Sequence, residues 1–385
     1  MLILLFLAIE RLDISDFLSL AENAFLLDVR SPAEYNHAHI PGAISLPLFT
    51  NEERSIVGTA YKQQSREQAI KIGLDFFGPK MRHMVEEVEE LVKSRESGVK
   101  SLDSKISDSE LRSRNSVLLY CWRGGMRSGA VAWLLNLYGF NVKVLTGGYK
   151  SFRRWVLESF TYPYPLKVLG GFTGSGKTEL LQALKERGEK IIDLEALAQH
   201  KGSAFGNIGM PPQPSQEMFE NLLSYELRTI LYEKEKVVSS SPSTGGGQGE
   251  AIWIEDESQR IGNINIPNAF WETMRQAPLF FLDIDFEERL QHIVREYSTC
   301  SEERMIDAIQ RISKRLGGLE TKNAIRFLQE KNTVESFRIL LHYYDKQYLK
   351  ALHNRQHVSA LLTTIKCPKV DVTNIRLLLS EKTTT

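Results

Sequence analysis

Two short segments of this chain carry residue types and spacings suited to holding anions. The first is Cys121-Trp122-Arg123-Gly124-Gly125-Met126-Arg127-Ser128. A thiol is a useful nucleophile only when deprotonated, and a free cysteine is mostly protonated at neutral pH. Glycines after the cysteine let successive backbone N–H groups turn inward. A following helix N-terminus adds partial positive charge, and Arg123 and Arg127 add full charge. That cradle suits a thiolate, a persulfide, a selenopersulfide or a bound oxyanion. The ordinary fate of an isolated cysteine is structural burial, and the glycines and arginines argue against it here. The second segment is Gly171-Phe172-Thr173-Gly174-Ser175-Gly176-Lys177-Thr178, which fits the P-loop pattern at every defined position. Gly171, Gly174 and Gly176, with Ser175 in the same turn, allow the backbone to wrap a phosphate. Lys177 neutralises the outer phosphates, and Thr178 binds Mg²⁺ or a phosphate oxygen. One loop suits a reactive sulfur or selenium anion, the other a di- or triphosphate.

Acids that hold a metal beside such a phosphate belong at the end of a neighbouring strand. Trp253-Ile254-Glu255-Asp256-Glu257-Ser258 offers Glu255, Asp256 and Glu257, and Asp193 is a further candidate; a solvated strand end is the ordinary alternative for each. The run His200-Lys201-Gly202-Ser203-Ala204-Phe205-Gly206 has no hydrophobic period and reads as an active-site loop. In it His200 is either a proton shuttle or a hydrogen-bonded structural histidine. Arg311, Lys314 and Arg315 fall on one helix and face either phosphates or solvent. No Cys/His cluster has zinc-site spacing, and no metal ligand is assigned.

The elements that position these groups follow from the apolar pattern. Ala24 to Arg30 reads as a buried strand, Ser31-Pro32-Ala33-Glu34-Tyr35 as a capped turn entering a short helix, and His39 to Leu46 as a loop running into another strand. Val117-Leu118-Leu119-Tyr120 feeds the cysteine loop, and Ala130, Trp133, Leu134 and Leu137 keep helical spacing up to Gly139. Val142 to Leu145 is the next strand. The alternation predicts a doubly wound parallel sheet over residues 1–160. Tyr162-Pro163-Tyr164-Pro165 marks a domain boundary, because proline suppresses both helix and ladder bonding. A second α/β domain then spans 161–385, with strands at Leu166–Gly170, Ile191–Leu194, Ala251–Glu255 and Leu279–Asp283 and a mostly helical region from Ser301 onward. The polar stretch 94–116 and the Ser/Gly-rich stretch 239–247 read as connections, and the Thr383-Thr384-Thr385 tail as frayed.

Composition narrows the class. Lys+Arg and Asp+Glu both number 48, so overall charge points to no particular partner. Three scattered cysteines (Cys121, Cys300 and Cys367) exclude a disulfide framework and suit a reducing compartment. The apolar start, Met1 to Ile9, lacks a basic leader and a cleavage site and is too short to span a bilayer. It reads as a buried first strand or a misplaced start, with no membrane role and a cytoplasmic location expected.

Together with Asp28-Val29-Arg30-Ser31-Pro32-Ala33-Glu34-Tyr35 and His39-Ile40-Pro41-Gly42-Ala43, the cysteine loop resembles the rhodanese family of sulfur carriers. By that resemblance Cys121 is the chalcogen-carrying nucleophile, and Asp28, Arg30 and Glu34 are structural. Ordinary rhodanese loops place the arginine one residue nearer the cysteine, so Met126 is extra here. The longer Cys-x5-Arg loop also occurs in rhodanese-related phosphatases, which leaves phosphate-ester cleavage open. The wider constellation is similar to the bacterial tRNA 2-selenouridine synthases. It comprises Tyr61-Lys62-Gln63-Gln64, the Cys121 loop, Thr146-Gly147-Gly148-Tyr149-Lys150, the P-loop and Asp193-Leu194-Glu195. The His200 to Gly206 run, Glu255-Asp256-Glu257-Ser258 with Arg260-Ile261-Gly262, and Arg315-Leu316-Gly317 complete it. Lys201 stands where that family has arginine, and the stretch before Ala251 is an insertion.

The resemblance implies a rhodanese-like domain joined to a P-loop NTPase-like α/β domain with a helical C-terminal region. It implies replacement of sulfur by selenium in 2-thiouridine at the tRNA wobble position. Selenophosphate and geranyl diphosphate are the implied co-substrates, with Mg²⁺ a further candidate. Catalysis then falls to Cys121, Arg123 and Arg127. Co-substrate binding falls to the P-loop residues with Asp193, His200, Glu255 and Asp256. The partners are a 2-thiouridine-containing tRNA and an enzyme that supplies selenophosphate. The rival reading is a sulfurtransferase or phosphatase fused to an ATP-dependent kinase. A non-catalytic tRNA-binding module fits poorly with intact Cys121 and Lys177.

Overall fold

Five short runs build the first sheet: β1 (Glu10–Leu12), β2 (Phe25–Asp28), β3 (Ile44–Ser45), β4 (Val117–Tyr120) and β5 (Val142–Leu145). All pairings are parallel, in the order β1-β5-β4-β2-β3. Strands β2 and β4 are buried along their whole length. A strand covered on both faces needs no polar alternation, which is why these two read as continuous apolar runs. Leu27, Leu119 and Val144 pack with Val131 and Leu135 of the helix Met126–Tyr138 and with Val88 of the helix Met81–Lys100. The computed structural model describes residues 9–100, 116–240 and 251–380, and its chain divides into two units, Met1–Glu158 and Ser159–Thr385. The apolar start to residue 8, most of the 94–116 connection, the glycine run after Ser240 and the threonine tail lie outside the described residues.

In the second unit β6 (Leu166–Gly171) is central, flanked by β8 (Ile252–Glu255) and β11 (Leu279–Asp283). The outer strands are β7 (Ile191–Ile192) beside β8 and β12 (Leu362–Lys366) beside β11. Every pairing in this sheet is parallel. A small antiparallel ribbon, β9 (Arg260–Ile261) with β10 (Ile264–Asn265), follows β8. From β6 the chain visits β7 and β8 on one side before crossing to β11 on the other. This reversal opens a crevice at the C-terminal end of β6, where open α/β sheets bind ligands.

Beyond β11 the helices Phe286–Glu296, Glu302–Leu316, Gly318–Gln329 and Thr333–His353 gather around Ile309, Phe337 and Leu340. The region is mostly helical, with one strand among the helices. Leu362-Thr363-Thr364-Ile365-Lys366 leaves the helices and returns to the sheet as edge strand β12. The run is short and only Ile365 is buried, so its apolar signal is faint.

Candidate functional site

In the first unit β4 ends directly before Cys121, and the helix Met126–Tyr138 begins within the same loop. The loop is fixed from behind. Tyr149 N–H donates to Cys121 O at 2.8 Å and Lys150 N–H to Trp122 O at 3.0 Å, while Arg11 Nη1 donates to Gly124 O at 2.7 Å. Gly148 makes this approach feasible: at φ +61, a Cβ there would sit 2.3 Å from both Cys121 O and Gly124 N.

The Cys121 thiol is buried, with Sγ 3.2 Å from Ser128 Oγ. Burial pushes its pKa up. The Ser128 hydroxyl and N–H, the Arg127 charge and the Arg123 N–H outweigh that penalty and leave the thiol below its ordinary value. Arg127 is clamped by Glu34, with Nη1 2.7 Å from Oε2 and Nη2 3.2 Å from Oε1. Burial pushes the Glu34 carboxyl up, but the bond and charge of Arg127 hold it low. Arg123 differs from Arg127: its exposed side chain has no hydrogen-bond or ion-pair partner among the described residues, and it serves the thiol through its backbone. Asp28 and Arg30 form an interior pair, with Arg30 Nη2 2.6 Å from Asp28 Oδ2 and 2.7 Å from Ala38 O and the guanidinium 3.8 Å from the Tyr149 ring centre.

In the second unit Gly171 closes β6, and Gly174 and Gly176 take positive φ in the turn that enters the helix Lys177–Glu186. At Gly174 a Cβ would meet Arg289 O at 2.9 Å and Ile293 Cγ1 at 2.7 Å. Arg289 braces this turn: it donates to Thr173 O at 3.1 Å and makes a two-point pair with Asp345 of the helix Thr333–His353. Lys177 Nζ donates to Gly171 O at 3.2 Å, and Thr178 Oγ1 to Glu195 Oε2 at 3.3 Å.

Three carboxylates face this turn. Ligand oxygens of Glu195, Glu255 and Glu257 lie within 4.8 Å of one another. Burial is the first cause that raises the Glu195 carboxyl to about 7, despite Lys177 and the Thr178 hydroxyl. Burial and the Glu195 charge raise Glu257 to about 8, and burial with Glu195 and Asp193 lifts Glu255 well above the usual range. Glu255 is fully buried and, among the described residues, neither oxygen has a hydrogen-bond partner; the buried Ser175 Oγ is likewise unpartnered among them. Orphaned buried acceptors beside a phosphate-binding turn are costly unless a ligand satisfies them. The donor set is all oxygen, so it fits Mg²⁺ next to a polyphosphate.

The structure redistributes the acids read from the sequence. Asp193 Oδ1 caps the helix Leu194–Ala198 at Ala196 N, and Oδ2 accepts from Gln182 at 2.9 Å. Asp256 accepts from Tyr348 at 2.7 Å and from the buried Arg355 at 3.2 Å. Both also line the cleft, so these bonds fix them in its wall, while the buried Glu255 lies beside them, close enough for the Lys177 charge to act on it. Glu195 stands in the sequence within the Asp193-Leu194-Glu195 motif but not among the candidate metal-holding acids. Its signal is its place in the first turn of the helix Leu194–Ala198, directly after β7. His200 is buried and does not line the cleft, and a Cβ at Gly206 or Gly262 would touch its ring. Burial, then the Arg311 charge, lowers its pKa and keeps the imidazole neutral. Its neighbour Lys201 reaches the cleft and pairs with Glu296 at 2.5 Å. Arg315 lines the cleft, whereas Arg311 donates to Ala204 O and Asn207 Oδ1.

The cleft has a volume of about 1170 Å³. Its lining includes the P-loop and the aromatic or apolar side chains Trp271, Tyr343, Tyr344, Tyr348 and Leu352, of which Tyr348 packs on Phe172 of the P-loop.

A depressed-pKa thiol loop in one unit and a P-loop facing acids in the other define a rhodanese-like domain joined to a P-loop domain. A sequence profile described as a rhodanese-like domain matches residues 13–154, and one described as a tRNA 2-selenouridine synthase AAA domain matches residues 164–366. A tRNA 2-selenouridine synthase from Sulfurovum sp. (strain NBC37-1) is 32% identical over 370 residues, 89% of this chain and 91% of that protein. One from Bdellovibrio bacteriovorus is 33% identical over 383 residues, 88% of this chain and 92% of its own length. Another, from Shewanella denitrificans, is 33% identical over 371 residues, covering 93% and 90%. The chain belongs to the tRNA 2-selenouridine synthase family.

Proposed function

We propose that this protein replaces sulfur by selenium in 2-thiouridine at the wobble position of tRNA, with selenophosphate as selenium donor and geranyl diphosphate as activating alkyl donor. The observation that carries the reading is one chain holding both a buried thiol of lowered pKa in an anion cradle and a P-loop faced by orphaned carboxylate oxygens.

A thiocarbonyl sulfur on a pyrimidine ring leaves poorly. Alkylation of that sulfur by geranyl diphosphate releases pyrophosphate and makes the ring carbon more electrophilic. Selenium at the selenide level then adds to that carbon, water attacks phosphorus so that the P–Se bond breaks to give phosphate, and sulfur leaves as geranyl thiol with a proton from that water. No electrons are gained or lost overall. The P-loop turn with Lys177 and Thr178 fits the diphosphate, whose developing charge on departure needs stabilisation. Glu195, Glu255 and Glu257 would hold Mg²⁺, which supplies further charge neutralisation when bound. The aromatic wall from Trp271 to Tyr348 suits an isoprenoid chain. The Cys121 cradle, with Arg127 beside it, fits the selenium donor, and the thiol lies in that cradle to position the donor without bonding to selenium. Covalent carriage as an S–Se bond would remove two electrons and so needs an oxidant; cradling the donor does not.

The test is nucleoside mass spectrometry of a 2-thiouridine tRNA incubated with the protein, the two donors supplied separately and together. Selenium-for-sulfur replacement with both donors, and S-geranyl product with the prenyl donor alone, is the expected result. Cys121→Ser is expected to abolish selenation and leave geranylation largely intact. No change under any condition, from folded protein and competent tRNA, would move the reading to a sulfurtransferase fused to a kinase.

A further inference from the structure

The run Tyr61-Lys62-Gln63-Gln64 has no internal work to do. It ends the helix Asn51–Gln63 and turns at Gln64 into Ser65, whose hydroxyl caps the next helix, Arg66–Phe77. All four side chains are exposed, Tyr61 at 53%, and none has a hydrogen bond, ion pair or ring contact among the described residues. Arg66 adds a second exposed cation at the same corner. A free aromatic face, two cations and two amides are the groups that unpaired nucleic acid asks for: a platform for a base, charge for the backbone, and donors and acceptors for base edges.

The corner is joined to the thiol loop along one helix face. Arg54, Gly58, Tyr61 and Lys62 share that face by helical spacing. Arg54 Nε lies 3.6 Å from Glu34 Oε2, and Glu34 is the carboxylate that clamps Arg127 beside Cys121. A Cβ at Gly58 would lie 2.5 Å from Arg54 Nη1, so the Arg54 guanidinium extends along the helix across Gly58, toward the Tyr61 turn. From Arg54 to Tyr61 is about 10 Å of helix at the standard rise. The strip therefore starts at the reacting thiol loop and ends at an unpartnered aromatic.

We propose that this face and its corner are the docking track for the unpaired RNA that flanks the reacting nucleotide, with Tyr61 stacking a neighbouring base and Lys62 and Arg66 neutralising phosphates. The proposal rests on the tRNA-modifying reading and names the surface that reads the RNA.

The experiment measures binding of the full-length protein to an anticodon stem-loop RNA with 2-thiouridine at the wobble position, by fluorescence anisotropy across a salt series. Tyr61→Ala is expected to weaken binding roughly ten- to hundredfold, the range set by loss of one stacked base. Tyr61→Phe keeps the ring and should bind like the unmodified protein. Lys62→Glu should reduce the salt-dependence slope by about one. The rate of Cys121 alkylation by iodoacetamide should be unchanged in all three, which confirms an intact thiol loop. Retained affinity in both Tyr61→Ala and Lys62→Glu would overturn the track alone, and so would equal losses in Tyr61→Phe and Tyr61→Ala. If Tyr61→Ala binds RNA normally but loses selenation only when a selenophosphate-making enzyme supplies the donor, the corner docks a protein and the track is likewise overturned. An unmodified protein with no affinity for the RNA would overturn the function as well.

Discussion

At Cys121 two effects of opposite sign compete. Taking a thiolate out of water is costly, and the side chain is 3% exposed. The Ser128 hydroxyl, two backbone N–H groups and the Arg127 charge win that competition, so the thiol ionises more readily than an ordinary cysteine. The rate of alkylation by iodoacetamide against pH should therefore show its inflection below the usual thiol range of about 8.5. Ser128→Ala removes the first-ranked favourable partner, and its inflection should move up, with slower alkylation at neutral pH. An unmoved inflection would show that the backbone and Arg127 suffice. The sequence makes the cysteine, the glycines and the arginines legible, because their types announce an anion loop. It does not reveal that Ser128, seven residues on, turns onto the sulfur, which depends on the path of the loop, or that Arg127 is shared with Glu34, which depends on how its helix packs against a segment 93 residues away in the chain.

At the scale of elements, the strands leading into both loops are legible because buried parallel strands are written as apolar runs, Val117 to Tyr120 without a break and Leu166 to Gly171 interrupted by Lys167. Strand β12 is less so, being a half-exposed edge. The acid set is the instructive case. The end of β8 presents Glu255, Asp256 and Glu257 in succession, and a strand sends successive side chains to opposite faces. Sequence alone cannot say which face meets the P-loop; Tyr348 and Arg355 hold Asp256 in the cleft wall, outside the cluster formed by Glu255 and Glu257. The first turn of the helix Leu194–Ala198, after β7, contributes Glu195 to complete the trio. Because these carboxyls are raised, the cation-free folded state holds protons that the unfolded chain has already released. Stability from this source is full below about pH 4.3, the ordinary glutamate value, and declines as pH rises toward 7–8. Glu255→Gln should flatten that decline and raise the melting temperature of the Mg²⁺-free protein at pH 8. The same variant should lose the thermal shift that added Mg²⁺ gives the unmodified protein. Calorimetry should also show Mg²⁺ binding tighten from pH 6 to pH 8 with release of protons. A Glu255→Gln protein that still responds to Mg²⁺ like its parent would place the cation elsewhere.

At the scale of the whole molecule, the proposed reaction gives each co-substrate its own site. A diphosphate and its cation would need hard oxygen donors, whereas selenium at the selenide level would suit a soft thiol flanked by arginine. The division near Glu158 gives each its own sheet and core. If the P-loop unit only activates and the thiol unit only delivers selenium, each step should survive damage to the other. Cys121→Ser protein, given geranyl diphosphate, should accumulate S-geranyl tRNA. That RNA, purified and handed with selenophosphate to Lys177→Ala protein, should be converted to the selenouridine form at a rate close to that of the unmodified enzyme. Lys177→Ala given unalkylated tRNA and both donors should make almost none, because the lysine that faces the outer phosphates is gone. The informative failure is Lys177→Ala protein that leaves supplied S-geranyl tRNA untouched while its Cys121 still alkylates normally. In that event the P-loop takes part in the selenium step too, and the two sites act on one bound RNA in sequence instead of as separable enzymes.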